Sequence, residues 1–402
     1  MTGNAKTKTA AVIVIGAGAS GLAAAQALRA RGIPVRILDQ ATRPGDAWYH
    51  RHPQLRLNTH RHLSALPGLA IVRSAGAYPT RDSIIRYLDD YAARLDAPID
   101  YGVQVTRIDA ENSGWAIETD AGVYHTRHVV VATGLDRVPH IPDWPGRDNF
   151  SGKLLHAADF GELTQYRGRD ILVVGAGNSG SDILNHLARI DTGRVWVSVR
   201  HGPVVFPRRL YGIPVQRLSP LFTVLPVRVA DALLSLTEYV AFGRLSRWGL
   251  RKHPDGGVTR LLESGTSPAI DDGFVAALKA GKITVVPEVE RFDAAGLRLV
   301  DGQILKPEIV ISATGYRSDL EAILGHTGLL DKLGVPLIHG AEQMDGYRGL
   351  WFTGMRPRLT GIFHLATNSA LEIAGAIESE MRHKETALPG HAGRVTPSRS
   401  TA

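Results

Sequence analysis

At 402 residues the chain is longer than one compact core comfortably fills, so two domains are expected. Lys and Arg outnumber Asp and Glu by 46 to 39, and this +7 surplus is spread along the chain, which argues for local anion sites and against nucleic-acid binding. Cysteine is absent, which excludes disulfides, cysteine-ligated zinc, iron–sulfur clusters and any dithiol redox relay.

The stretch before residue 11 is short and polar and has no small-residue cleavage site, so a cytoplasmic protein is expected. Residues 11–39 (AVIVIGAGASGLAAAQALRARGIPVRILD) run as an apolar strand, a glycine loop, an alanine-rich helix and a second strand ending in Asp39. In the G-x-G-x-x-G of Gly16, Gly18 and Gly21, which contains Ser20, the first glycine permits a sharp turn. The second lets backbone approach a pyrophosphate, and the third lets helix and strand pack, while the helix N-terminus offers amides to phosphate. Asp39 is placed to accept hydrogen bonds from a ribose diol. The competing reading is a packed βαβ unit whose glycines serve only its turns.

Residues 43–67 are irregular and crowded with Pro, Arg, His and aromatic residues. His50, His52, His60 and His62 lack cysteine partners and an H-E-x-x-H helix and have few nearby carboxylates, so no metal is expected there. A loop over the cofactor fits better, with the His/Arg-rich stretch from Arg51 to His62, Arg56 and Arg61 among it, able to receive an anionic substrate; the alternative is a solvated loop. Residues 82–95 carry Ile84, Ile85, Leu88 and Tyr91 at helical spacing. Three short strands at 103–109, 114–119 and 122–125 suggest a meander, followed by a separate buried strand at 128–133 that ends in Ala132, Thr133 and Gly134. Pro139, Pro142 and Pro145 then mark an extended crossover and a domain boundary.

Beyond it the opening pattern returns. A strand at 170–174 leads into Gly175, Gly177, Asn178, Ser179 and Gly180, then a helix, then a strand at 195–199 followed by Arg200. An acid at the end of the first unit suits the ribose of FAD, and a cation at the end of the second suits the 2′-phosphate of NADPH. Residues 207–266 depart from this plan as a helical insertion. Its apolar run at 221–250 is interrupted by Arg228, Asp231, Glu238 and Arg244 too often for a membrane span, so a lid over the substrate is favoured over a membrane-surface helix. A strand at 308–312 leads into Ala313, Thr314 and Gly315, another at 350–352 precedes Gly354, and a helix at 367–379 is able to aim its N-terminus at the flavin. The expected fold is α/β with two Rossmann-like dinucleotide-binding domains, the NADPH domain (146–304) inserted into the FAD domain (1–145 and 305–382), followed by a disordered tail at 383–402.

Residues 150–160, Phe-Ser-Gly-Lys-Leu-Leu-His-Ala-Ala-Asp-Phe, match the fingerprint F-x-G-x-x-x-H-x-x-x-[YF], and with YPTR at 78, GAGNSGSD at 175, PRRLYG at 207, GKITVVPEVERF at 281, ATGYRS at 313 and GLWFTGMR at 349 the chain resembles the class B flavin-dependent monooxygenases, most of all their YUCCA-type branch. Two positions depart from the family pattern: its G-G-x-W is Gly45-Asp46-Ala47-Trp48 here, and Asn58 stands where animal-type members carry Asn and plant YUCCA members carry other residues. The resemblance implies that NADPH reduces FAD and that dioxygen forms a flavin 4a-hydroperoxide, which passes one oxygen to a small organic substrate. It assigns Asn58 to stabilising that peroxide and the bound NADP, and gives His156 and Phe160 the task of orienting the connector. It also places Trp48, Thr133, Gly134, Thr314, Gly315 and Gly354 beside the cofactors. Oxidative decarboxylation of a 2-oxo acid such as indole-3-pyruvate is one outcome, and N- or S-oxygenation of a soft nucleophile is the other. From a different class, a non-catalytic NADPH-sensing flavoprotein has the same architecture.

Overall fold

A computed structural model describes residues 8–294 and 296–386. Its first sheet has seven strands: Ile99–Tyr101, Val35–Asp39, Lys8–Ile15, Gly122–Val131, Gly114–Thr119 and Val105–Glu111 in spatial order, with Leu350–Phe352 added beside Gly122–Val131. Lys8–Ile15 runs parallel to both neighbours, so that Val14 faces Ile37 on one side and Val130 on the other. Such a central parallel strand is covered on both faces, which is why Val12, Ile13 and Val14 read as a continuous apolar run and are fully buried. The helices Ala19–Arg29 and Ile362–Thr386 cover one face through Leu22, Leu28, Phe363, Ile373 and Ile377.

The expected third meander strand and the separate buried strand are one element, Gly122–Val131. Its first half pairs antiparallel with Gly114–Thr119, and its last residues lie between Lys8–Ile15 and Leu350–Phe352. Burial accordingly changes from alternating to continuous after Arg127, and that change in pattern made one strand look like two.

The second sheet is parallel, in the order Ile283–Val286, Val195–Ser198, Ile171–Val174, Ile309–Ser312 and Lys153–His156. This corrects the boundary drawn at 304/305. Ile309–Ser312 does not open the return to the first sheet; it is buried within the second, with Ile309 opposite both Ile171 and Lys153. The return comes at Tyr316–Arg317, which pairs antiparallel with the outgoing Val138–Pro139.

Within the insertion, the 221–250 run is not one helix. Pro226 starts the helix Val227–Phe242, Gly243 ends it, and Gly257–Ser264 packs beside it. Ala230, Leu234 and Glu238 face inward, while Val229, Leu236, Tyr239 and Val240 are exposed. Buried Glu238 accepts the Val205 amide at 2.9 Å and pairs with Lys252 at 3.4 Å. Among the described residues no helix is long and apolar enough to cross a membrane. The last helix begins at Ile362, ahead of its expected start, and continues through Thr386, so residues 383–386 of the expected tail are helical; 387–402 lie outside the described residues.

Candidate functional site

Both glycine loops open onto one cavity of about 2630 Å³ that spans the two sheets and the insertion. The two loops are built alike. A Cβ on Gly21 would lie 1.8 Å from the Gly16 carbonyl oxygen, and one on Gly180 would lie 2.0 Å from that of Gly175, so the third glycine of each loop serves backbone packing. Gly18 and Gly177 differ, since a Cβ there would meet no protein atom within 4 Å although both residues line the cavity. Protein packing does not require a glycine at either position, whereas close approach of a ligand does. Each also precedes a helix, Ala19–Arg29 or Asn178–Leu187, whose N-terminus has no side-chain cap and so keeps its first amides available.

Around the first loop, Asp39 is held by the backbone amides of Ala17 and Ala41, the latter at 2.7 Å, and retains carboxylate lone pairs toward the cavity it lines. Gly354 has a positive φ of 71°, and a Cβ there would lie 2.1 Å from Ser20 Oγ, so glycine is needed to let that loop reach the helix start. Trp48 packs on Phe363 with ring centroids 5.8 Å apart. Thr133 Oγ1 is buried without a partner, an orphaned polar atom on the cavity wall next to Gly134. Uncapped helix starts, glycine cradles, a held cavity-facing acid and an orphaned hydroxyl fit two dinucleotides.

Around the second loop, Asn178 and Ser179 line the cavity at the helix start, and Arg200 is at its rim. The Arg200 side chain is 78% exposed and its Nε bonds Glu288, a partner that the strand-end pattern did not reveal. Thr314 Oγ1 bonds the His140 carbonyl and lies 2.7 Å from Ser312 Oγ. The Gly315 carbonyl accepts from His156 Nε2 at 2.9 Å and from the His140 amide at 3.0 Å. His156 Nδ1 accepts the Ala158 amide, so its tautomer is set, and burial holds its pKa below the usual histidine value. Phe160 is fully buried, stacked on Tyr166 at 4.6 Å.

Asn58 lines the cavity, and its Oδ1 receives Arg208 Nη2 at 3.5 Å. A guanidinium only donates, so the Asn58 carbonyl is the end turned to Arg208 and its NH₂ group is left to donate elsewhere. The expectation for Arg56 and Arg61 is corrected: neither lines the cavity, and each turns to backbone instead, Arg56 to the Tyr78 carbonyl at 3.5 Å and Arg61 to that of Gly76 at 3.4 Å. Burial and nearby cations push the His60 pKa down to about 4, so it adds no positive charge near neutrality. Several cations line the cavity; among them are Arg51, at the start of that loop, which bonds the Tyr316 hydroxyl and lies over its ring, and Arg208 of the insertion, which reaches Asn58. Asp136 opens onto the cavity, where desolvation raises its carboxyl above the usual range against the opposing pull of Arg51 and His156. The sequence reading missed Arg208 and Asp136; the Pro207-Arg208-Arg209 string at the start of the insertion was the available signal for the first.

The histidines of the irregular loop separate. His52 alone crosses to the second sheet's helix, where its Nε2 lies 3.1 Å from Asp182 Oδ2. His186 Nε2 is 3.7 Å from the same carboxylate and has no hydrogen-bond partner, so ligand atoms of three buried side chains, one from each of His52, Asp182 and His186, lie within 4.8 Å of one another.

Comparison with known proteins agrees with this architecture. A family model described as pyridine nucleotide-disulphide oxidoreductase matches residues 13–214. The chain is 32% identical over 380 residues to indole-3-pyruvate monooxygenase YUCCA1 of Oryza sativa subsp. japonica, covering 93% of this chain and 92% of the relative. It is 32% identical over 376 residues to the probable indole-3-pyruvate monooxygenase YUCCA1 of Arabidopsis thaliana, covering 92% and 90%. Among solved structures it resembles a flavin-containing monooxygenase from Stenotrophomonas maltophilia at a TM-score of 0.69 and 22% identity, covering 93% of this chain and 100% of that one.

Proposed function

The chain belongs to the class B flavin-dependent monooxygenases, alongside their YUCCA-type members, and from that membership we propose that it oxidatively decarboxylates an apolar 2-oxo acid of the indole-3-pyruvate type. It is an FAD- and NADPH-dependent enzyme that acts on a small molecule with dioxygen. The observation that carries the substrate reading is an apolar chamber in the cavity wall, made by Phe206, Val215, Phe222, Leu234 and Ile270, with the cationic Arg208 beside Asn58.

Reduced flavin supplies the activation of dioxygen. This chain's residues bind and orient. Gly16, Gly18, Ser20 and Asp39 would hold FAD, with Gly21 packing that loop and Trp48, Thr133, Gly134 and Gly354 around the cofactor. Gly175, Gly177, Asn178, Ser179 and Arg200 would hold NADPH, with Gly180 packing that loop and Thr314 and Gly315 fixing the connector between the two sites. Asn58 donates through its NH₂ group toward the reacting oxygen, because its carbonyl is engaged by Arg208. The insertion serves as a lid that keeps bulk water from the chamber. On this reading the FAD lobe is residues 1–145 with 313–382, the NADPH lobe is 146–312, and the protein works in the cytoplasm.

The overall reaction consumes one 2-oxo acid, one dioxygen, one NADPH and one proton, and gives the acid shortened by one carbon, carbon dioxide, NADP⁺ and water. With ¹⁸O₂, one label should enter the new carboxylate and one the water. NADPH oxidation stimulated by amines or sulfides and not by 2-oxo acids would select the second reading, N- or S-oxygenation, which Asn58 keeps open through its match to animal-type members.

A further inference from the structure

We propose that Arg208 anchors the substrate carboxylate and thereby selects apolar acids over neutral molecules of the same shape. The inference rests on the oxygenation reading above for its choice of ligand, but it concerns binding, which is measured apart from turnover.

Arg208 follows the strand Val205–Pro207 and reaches the cavity with a side chain only 12% exposed. It is held from several sides. Tyr78 Oη donates to the Arg208 carbonyl at 2.7 Å, and the guanidinium lies 5.3 Å from the centroid of the same ring. Nη1 donates to Asp272 Oδ2 at 2.8 Å, and Arg189 claims the same carboxylate, so two guanidiniums share that anion; the other acid near Arg208 is Asp271, whose carboxyl burial holds above the usual range. The opposite edge of the fork differs. Nε is buried with no partner, and Nη2 has only the Asn58 carbonyl, at the 3.5 Å limit of a hydrogen bond.

Nε and Nη2 form the side edge of the guanidinium, the edge that receives a carboxylate in bidentate fashion. A buried donor without an acceptor is costly, and an incoming carboxylate would satisfy it while displacing a weak contact. Beside this edge the wall is apolar, through Phe206, Val215, Phe222, Leu234, Ile270 and Leu359. One charged fork in an apolar chamber is the arrangement that holds a small acid with a hydrophobic body. Within the expected loop, Arg56 and Arg61 are turned away from the cavity, His60 stays neutral near pH 7 and Arg51 is engaged by Tyr316, while Arg208 is the cation bonded to Asn58.

The test is calorimetric binding to the FAD-loaded enzyme of 3-indolepropionate and of its amide, which keeps the shape and removes the charge. The parent should prefer the carboxylate by at least about 10-fold, the scale of a charge-assisted hydrogen bond. Arg208→Gln should weaken carboxylate binding by about 10- to 100-fold and change amide binding by less than about threefold, and Arg208→Lys should restore part of the preference. Asn58→Asp keeps Arg208 in place but gives it an internal anion, and should also abolish the preference. Equal binding of acid and amide by the parent overturns the proposal, as does a preference that survives both Arg208→Gln and Asn58→Asp. If Arg208→Gln does not fold with FAD, the Asn58→Asp result decides alone: lost preference supports the anchor and retained preference overturns it. A parent that shows the Arg208-dependent preference yet consumes no NADPH with any apolar 2-oxo acid refutes the decarboxylation reading and leaves the anchor standing.

Discussion

The carbonyl oxygen of Gly175 lies 2.0 Å from the point that a Cβ of Gly180 would occupy, and the Gly16 carbonyl stands in the same relation to Gly21 at 1.8 Å. Backbone cannot yield that much without breaking the turn, so Gly180→Ala should lower stability by several kcal/mol or abolish soluble expression. Gly177→Ala meets no protein atom within 4 Å and should fold as the parent does. Its methyl instead takes up ligand space, so the Michaelis constant for NADPH should rise by about 10-fold or more while the melting temperature stays within about 2 °C. Equal melting temperatures for the two variants would contradict the division of roles between the glycines.

Arg200 shares its guanidinium with Glu288, and the pair is exposed, so its own contribution to stability is small. A 2′-phosphate offers a stronger partner, and Arg200→Ala should raise the NADPH Michaelis constant by about 10- to 100-fold with little change for NADH. Glu288 competes for the same guanidinium. Glu288→Gln should therefore lower the NADPH constant by about two- to fivefold, a modest gain because the pair is solvent-exposed. Parallel steady-state titrations with both nucleotides measure this, and an equal loss with NADPH and NADH in Arg200→Ala would assign Arg200 a structural task.

With its carbonyl on Arg208, Asn58 has only its NH₂ group to offer the reaction. Removing one buried donor is worth about 1–3 kcal/mol. Asn58→Ala should thus divert about 10-fold more NADPH to hydrogen peroxide per product formed, read by a peroxide assay beside product analysis. Parental coupling in that variant would take Asn58 out of the reaction.

His339 gives a pH signature of its own, with Arg356 and Arg358 adding to the effect of burial. Its buried Nε2 accepts the Met355 amide at 3.3 Å, which requires the neutral ring, and burial holds its pKa at about 4 against an ordinary value of 6.5. Because the folded value is the lower one, the unfolded chain binds the proton first. The stability associated with neutral His339 is complete above pH 6.5 and is lost as pH falls toward 4. His339→Gln retains an acceptor without titrating, so its denaturation midpoint should fall less than the parent's between pH 7 and pH 4.5. Identical pH profiles for the two proteins would exclude this source.

The parts of the site that follow local rules were legible in the sequence. Gly16, Gly18, Gly21 and Asp39, and their counterparts Gly175, Gly177, Gly180 and Arg200, follow from a strand–turn–helix unit whose geometry is fixed over some thirty residues. Sheet membership was less legible. Ile309–Ser312 is an apolar run like any central parallel strand, and nothing local says which of two sheets receives it. The substrate side was least legible, because Arg208 comes beside Asn58 across 150 positions of chain and only tertiary packing decides that Arg56 and Arg61 turn away. The strand-end position of Arg200 is a local feature, whereas its partner Glu288 comes from 88 positions away and needs tertiary packing.

Val138–Pro139 leads out of the first lobe and Tyr316–Arg317 leads back, and these strands pair with each other, Pro139 opposite Tyr316 and Val138 opposite Arg317. Opposed residues on antiparallel strands are about 5 Å apart, a gap that a two-residue turn can close. The NADPH lobe is in this sense a cassette plugged into a single hairpin-like socket. Its gain, loss or exchange for another nucleotide-binding unit would leave every strand of the first sheet uncut, since those strands lie before residue 132 and after residue 349. A lineage could replace the reductant of such an enzyme without rebuilding its flavin half.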